Sequence, residues 1–188
     1  MFDPALLGDS LIENWPVWLV TFTLVIAALI DGIQLKVPNW ITFPMIIGGW
    51  IYSGIAFGWE GFLWSLLGTV IGLVLLLPAY AIGGMGAGDV KLLAGVGAWV
   101  WGETTFYAFC ISTIVGAVIA VAMVLYRRAW DKHKIQFMVI LSEMMTIRDP
   151  NQLSAIAAER KSSMLLLPYG IPIAIGSIAY FAWEGMLL

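Results

Sequence analysis

The sequence is poor in the residues that most often carry site chemistry. It has one cysteine, Cys110, and one histidine, His133, in 188 residues. A single cysteine excludes an internal disulfide and any cysteine-built zinc cluster. His133 stands between Lys132 and Lys134, a setting that fits a solvated surface rather than catalysis. Charge is equally scarce. Asp, Glu, Lys and Arg together make up 11% of the chain, less than half of the roughly 25% usual in soluble domains. Set against 61% hydrophobic residues, that shortage excludes an ordinary soluble domain and implies an integral membrane protein.

Stretches without any charge fall at 14–30, 37–59, 61–88, 92–102, 104–126 and 162–183. A bilayer core of about 30 Å takes about 20 apolar residues of helix. Five stretches are long enough alone, and the fourth suffices by borrowing from the glycines before it. The reading is an all-α polytopic membrane protein, one domain over 1–188 with six transmembrane helices. Turns are expected at "GWEG" and "WGETT". The polar segment 127–163 separates helices five and six, and within it "IQFMVILSEMMTI" predicts an amphipathic helix lying on the membrane surface. The N-terminal residues are acidic where a signal peptide would be basic, so no cleaved signal is expected.

One side of this arrangement lacks basic residues altogether. With six helices, all nine Lys and Arg follow helices one, three and five, whereas Asp3, Asp9, Glu13, Glu60, Glu103 and Glu184 occupy the opposite side. The positive-inside bias makes the basic side cytoplasmic and puts both termini outside. Trp15, Trp18, Trp59, Trp99, Trp101 and Trp183 then fall near the outer interface, with Trp40 and Trp130 near the inner one.

Two carboxylates stand out. Asp31 ends helix one and Asp89 starts helix four, so both meet the cytoplasmic edge. Each taken alone reads as a solvated helix-end residue, and Asp89 suits a helix N-terminus. The stretch "GGMGAGDVKLLAGVG" changes that balance. Gly83, Gly84, Gly86 and Gly88 precede Asp89, and each costs a helix about 0.8–1.0 kcal/mol relative to alanine. Irregular backbone at membrane depth persists only where protein buries it or it lines a watery cavity. Asp89 is therefore expected in a polar cleft, beside backbone that could bind an extended peptide. A phosphate-binding glycine loop does not fit, because the stretch lacks Gly-Lys-Ser/Thr and follows a membrane helix.

Three motifs appear in order: Asp31 followed by "VPNW", then "GMGAGDVKLLA", then "LPYGIPIAIG". Over 21–180 the chain resembles the type IV prepilin peptidases, membrane aspartyl proteases with a GxGD motif, and among them the short Flp-type (Tad) forms. The resemblance implies two catalytic aspartates, Asp31 and Asp89. Gly86, Gly88, Lys91 and Asn39 are candidates for substrate binding or support. Water would be activated between two carboxyls sharing one proton, with neither metal nor cofactor required. The implied substrate is a prepilin or pseudopilin, cleaved at the cytoplasmic face of the bacterial inner membrane. Longer members carry paired CxxC motifs linked to zinc and N-methylation. With Cys110 alone, peptidase without methyltransferase activity is expected. The expected partners are that substrate and the lipid bilayer, not nucleic acid, and assembly as a homo-oligomer is left open. The rival reading is a small ion- or proton-coupled transporter using the same acids.

Overall fold

The computed structural model describes residues 14–81, 84–126, 139 and 167–187. These form four helices: α1 (Trp15–Gln34), α2 (Asn39–Ala81), α3 (Ala87–Tyr126) and α4 (Gly170–Trp183). The expectation of six separate helices is corrected on this point. Helices two and three merge into α2, and helices four and five merge into α3. The expected surface loop, 127–163, lies outside the described residues apart from Val139.

The merging has a local cause. Each long helix is interrupted at one residue only, Gly58 (φ 67°, ψ −155°) in α2 and Trp101 (φ 63°, ψ −176°) in α3. Glu60, Gly61 and Glu103, expected in turns, are helical. Backbone in an apolar surrounding must satisfy its hydrogen bonds internally, so the ladder resumes as soon as the chain has bent. Gly58 takes a positive φ without steric cost. Trp101 does so against the usual preference of a bulky residue.

The bends reverse the chain. Trp50 Nε1 donates to Thr69 Oγ1 at 2.9 Å, although the two would stand about 28 Å apart along a straight helix. Tyr169 touches Gly116 and also lies in the field of Asp89. On a straight α3 those two residues would be about 40 Å apart. Both long elements are therefore helical hairpins.

The first half of α3 is the centre of the bundle. Leu92, Leu93, Ala94, Val96 and Ala98 are all fully buried. Small residues let α2 approach it closely on both sides, as in membrane helix packing. Gly68 meets the Gly97 backbone, Gly72 meets Leu93 and Ala94, and Gly49 meets Ala98. The Ser65 hydroxyl donates to the Ala98 carbonyl at 2.5 Å. The second half of α3 pairs with α4, with Ser112 against Gly176 and Tyr107 stacked on Tyr180 at 5.6 Å. α1 packs along α4 through Asp31 and Gly32.

The outside of the bundle is apolar. Phe22, Leu29, Ile33, Ile55 and Val118 are all well exposed. α1, α2 and α3 are each long and apolar enough to cross a membrane, while α4 is shorter. The two ends differ in chemistry. Trp15, Tyr52, Trp99, Phe57 and Trp101 form a chain of ring contacts 5.0–6.1 Å apart. That belt lies at the end of the bends, beside Glu60 and Glu103. Asp31, Asp89, Lys36, Lys91 and the start of α4 lie at the other end.

Candidate active site

Asp31 lies in the last turn of α1 and is 2% exposed. Its Oδ2 accepts a hydrogen bond from the Gly170 amide at 2.7 Å. That amide opens α4, where the first N–H groups have no partner within the helix. Gly170 leaves no room for a larger residue. A Cβ there would stand 2.9 Å from Asp31 Oδ2 and 3.0 Å from Asp31 Cβ.

Asp89 is 5% exposed and is held in a different way. It is the third residue of α3, and its Oδ2 accepts from the Gly86 amide at 2.9 Å. This is the reach-back half of a capping box, in which an acidic side chain at N3 satisfies the N-cap amide. The glycine stretch thus does two jobs here. It exposes an amide to Asp89, and at Gly88 it lets the neighbouring turn close in. The Val37 carbonyl oxygen would stand 2.5 Å from a Cβ on residue 88. The polar cleft expected around Asp89 does not open to solvent here, since both carboxylates are buried, Asp31 at 2% and Asp89 at 5% exposure.

Two links run between the carboxylates. The turn after Asp31 carries Val37, which lies on Gly88, and Asn39, whose Oδ1 accepts from Lys91 Nζ at 3.0 Å. Lys91 also sits over the Phe43 ring, 4.8 Å from its centroid. The first two sequence motifs therefore dock on each other through named contacts. The second link is the third motif. Gly170 bonds Asp31, and the adjacent Tyr169 lies within electrostatic reach of Asp89.

All six residues singled out in the sequence fall at this end. Asp31 and Asp89 are buried, Gly86, Gly88 and Lys91 are half-buried beside them, and Asn39 is exposed. Sequence reasoning did not single out Tyr169, Gly170 or Gly116 for the site. Gly170 and Tyr169 stood within a quoted motif, but nothing in the pattern tied them to Asp31, 139 positions away. Among the described residues no three His, Cys, Asp or Glu side chains converge as a metal-binding group.

Comparison with known proteins points the same way. The family model described as "Type IV leader peptidase family" matches residues 18–121. A prepilin leader peptidase/N-methyltransferase of Aeromonas salmonicida is 29% identical over 126 residues, 63% of this chain and 43% of that protein. Proteins with the same name from Stutzerimonas stutzeri and Pseudomonas aeruginosa are 30% and 32% identical, each over 128 residues. They too are covered over 43% of their length, so the match spans less than half of these relatives. No solved structure matches the chain.

Proposed function

The chain belongs to the type IV leader peptidase family, and from that premise we propose that it is an aspartic endopeptidase that removes the leader of a prepilin or pseudopilin. Asp31 and Asp89 are its two catalytic acids. The observation that carries this reading is their joint burial at one end of the bundle, linked by the Tyr169–Gly170 segment.

The chemistry follows from two carboxyls that share one proton, because adjacent like charges oppose double ionisation. The ionised carboxylate takes a proton from water as the oxygen attacks the scissile carbonyl carbon. The protonated carboxyl gives its proton to the carbonyl oxygen. As the C–N bond breaks, the leaving nitrogen takes up the proton held by the first acid while a gem-diol hydroxyl returns its proton to the second carboxylate, so one water is consumed and the pair is restored. The Gly170 and Gly86 amides orient the two carboxyls. Because the pair titrates as a unit, neither acid is assigned a fixed role.

The long apolar helices α1, α2 and α3 support a membrane-embedded enzyme, in the bacterial inner membrane on this reading. Lys36 and Lys91 at the aspartate end, against Glu60 and Glu103 at the other, support a cytoplasmic site with both termini periplasmic. A leader that remains in the cytoplasm would meet the acids at that edge. The short-form resemblance supports a Flp-type substrate. With one cysteine in this chain, cleavage without N-methylation is the reading.

The test is leader removal from a Flp-type prepilin in proteoliposomes. Asp31→Asn and Asp89→Asn should each lower kcat by at least about a thousandfold. Cleavage by either variant at the wild-type rate would exclude the dyad. Mass spectrometry of the mature product should find a free N-terminus, and a methyl increment would exclude the single-activity reading.

A further inference from the structure

Tyr169 occupies a position that its hydrophobic surroundings alone do not explain. Its phenol end lies flat against Gly116, where a Cβ would be 3.2 Å from the hydroxyl oxygen and 3.3 Å from two ring carbons. Thr113, one turn earlier on the same face of α3, hydrogen-bonds with the hydroxyl. The tip of the ring is thereby anchored to the second half of α3.

The other end of Tyr169 is anchored differently. Its carboxyl neighbour Gly170 gives its amide to Asp31, and the ring lies in the field of Asp89. Tyr169 and its neighbour Gly170 thereby tie the returning half of α3 to the end of α1, with Asp89 within electrostatic reach of the ring. We propose that Tyr169 is a positioning residue that fixes the separation of the two carboxylates, acting as a strut between the Thr113–Gly116 face and the Gly170 amide. This rests on the reading that Asp31 and Asp89 act together.

The strut makes distinct demands on three variants. Tyr169→Ala removes it, and displacement of a reacting group by about 1 Å lowers a rate about a hundredfold. Tyr169→Phe keeps the ring but loses the Thr113 bond, so the fall is about fivefold, on the scale of one hydrogen bond. Gly116→Ala pushes the ring by a few tenths of an ångström and lowers kcat severalfold. In the Tyr169→Ala background Gly116→Ala has nothing left to push and changes nothing further. The kcat–pH profile supplies a second readout. The titratable groups concerned are Asp31 on α1, Asp89 on α3 and the phenol itself, with Lys91 turned toward Asn39 and Phe43. Loosened carboxylates interact less, so the two limbs should approach by about one pH unit.

The experiment measures kcat against pH in proteoliposomes for wild type, the three variants and the double variant Gly116→Ala/Tyr169→Ala. Asp31→Asn and Asp89→Asn are run beside them. A residue that only supports folding would scale the profile without changing its shape. An unchanged shape in all three single variants, or additive effects of Gly116→Ala and Tyr169→Ala, overturns the strut and leaves the peptidase reading standing. Activity surviving in either aspartate variant removes both.

Discussion

Gly170→Ala is the smallest change that bears on Asp31. Residue 170 opens α4 with ordinary backbone, so alanine meets no conformational obstacle there. The obstacle is the carboxyl group. The new Cβ would stand 2.9 Å from Asp31 Oδ2, 3.0 Å from its Cβ and 3.2 Å from its Cγ. The first two distances are at or below the limit that real Cβ atoms show, and the Asp31 atoms belong to a short, buried side chain with little freedom to yield. The carboxyl and the start of α4 must therefore separate, which stretches the 2.7 Å bond from the Gly170 amide. A hydrogen bond to a charged group contributes about 1.5–3 kcal/mol. If Asp31 is a catalytic acid as proposed, losing it there corresponds to about a 10- to 150-fold fall in kcat. The assay is single-turnover leader cleavage in proteoliposomes, with thermal unfolding in detergent as a control. A kcat within twofold of wild type, in protein that unfolds normally, would refute the claim that the Gly170 amide sets the Asp31 carboxyl.

The other contacts make similar demands. Gly88→Ala puts a Cβ 2.5 Å from the Val37 carbonyl oxygen and should lift the 35–38 turn from α3. The expected result is at least about a tenfold loss of kcat, checked in the same cleavage assay. Lys91→Met and Asn39→Ala each break one more exposed hydrogen bond of about 1 kcal/mol, so cleavage should fall by no more than about tenfold. The double variant should be no worse than either single one. Trp50→Phe and Thr69→Val should show a coupling of about 0.6 kcal/mol in a double-mutant cycle of unfolding, the size usual for hydrogen bonds between membrane helices. Gly176→Ala sets a Cβ against Ser112 on α3 and should move α4 outward. Hydrogen exchange should then quicken at the Gly170 amide and stay unchanged at the Gly86 amide, and equal change at both would contradict the packing.

Much of this was legible in the sequence, and the reasons are physical. Scarcity of charge over long stretches identifies membrane helices because an apolar solvent leaves few alternatives. The order of Asp31, "VPNW", the GxGD stretch and the final Pro-Gly helix carried the family, and all of the residues it singled out lie at one end of the bundle. The number of separate helices was not legible. A one-residue break at Trp101 has no compositional mark, and the glycines and acids nearby pointed to longer turns. Burial of Asp89 was not legible either. Four glycines before a carboxylate suggest open backbone, yet Gly88 serves to bring Val37 close and so closes the space. The Gly170–Asp31 bond and the seat of Tyr169 on Gly116 depend on the return of α4 through the bundle, which no local pattern encodes.

The two carboxylates are consequently secured on different length scales. Asp89 takes an amide from Gly86, three residues earlier at the start of the same helix, and that bond needs only the first turn of α3. Asp31 takes its amide from Gly170, and that bond exists only while α4 is seated against both α1 and the second half of α3. Seating in turn depends on Gly176 lying against Ser112 and on Tyr169 lying against Gly116, positions spread over two turns of α4 and its approach. A small shift of α4 therefore acts on the Gly170–Asp31 bond and leaves the Gly86–Asp89 bond in place. In a dyad that shares one proton, moving one member alone changes both the distance and the balance between the two. On the proposed reading of a shared proton, the seating of α4 against α3 is thus the structural variable that sets the Asp31 member of the pair.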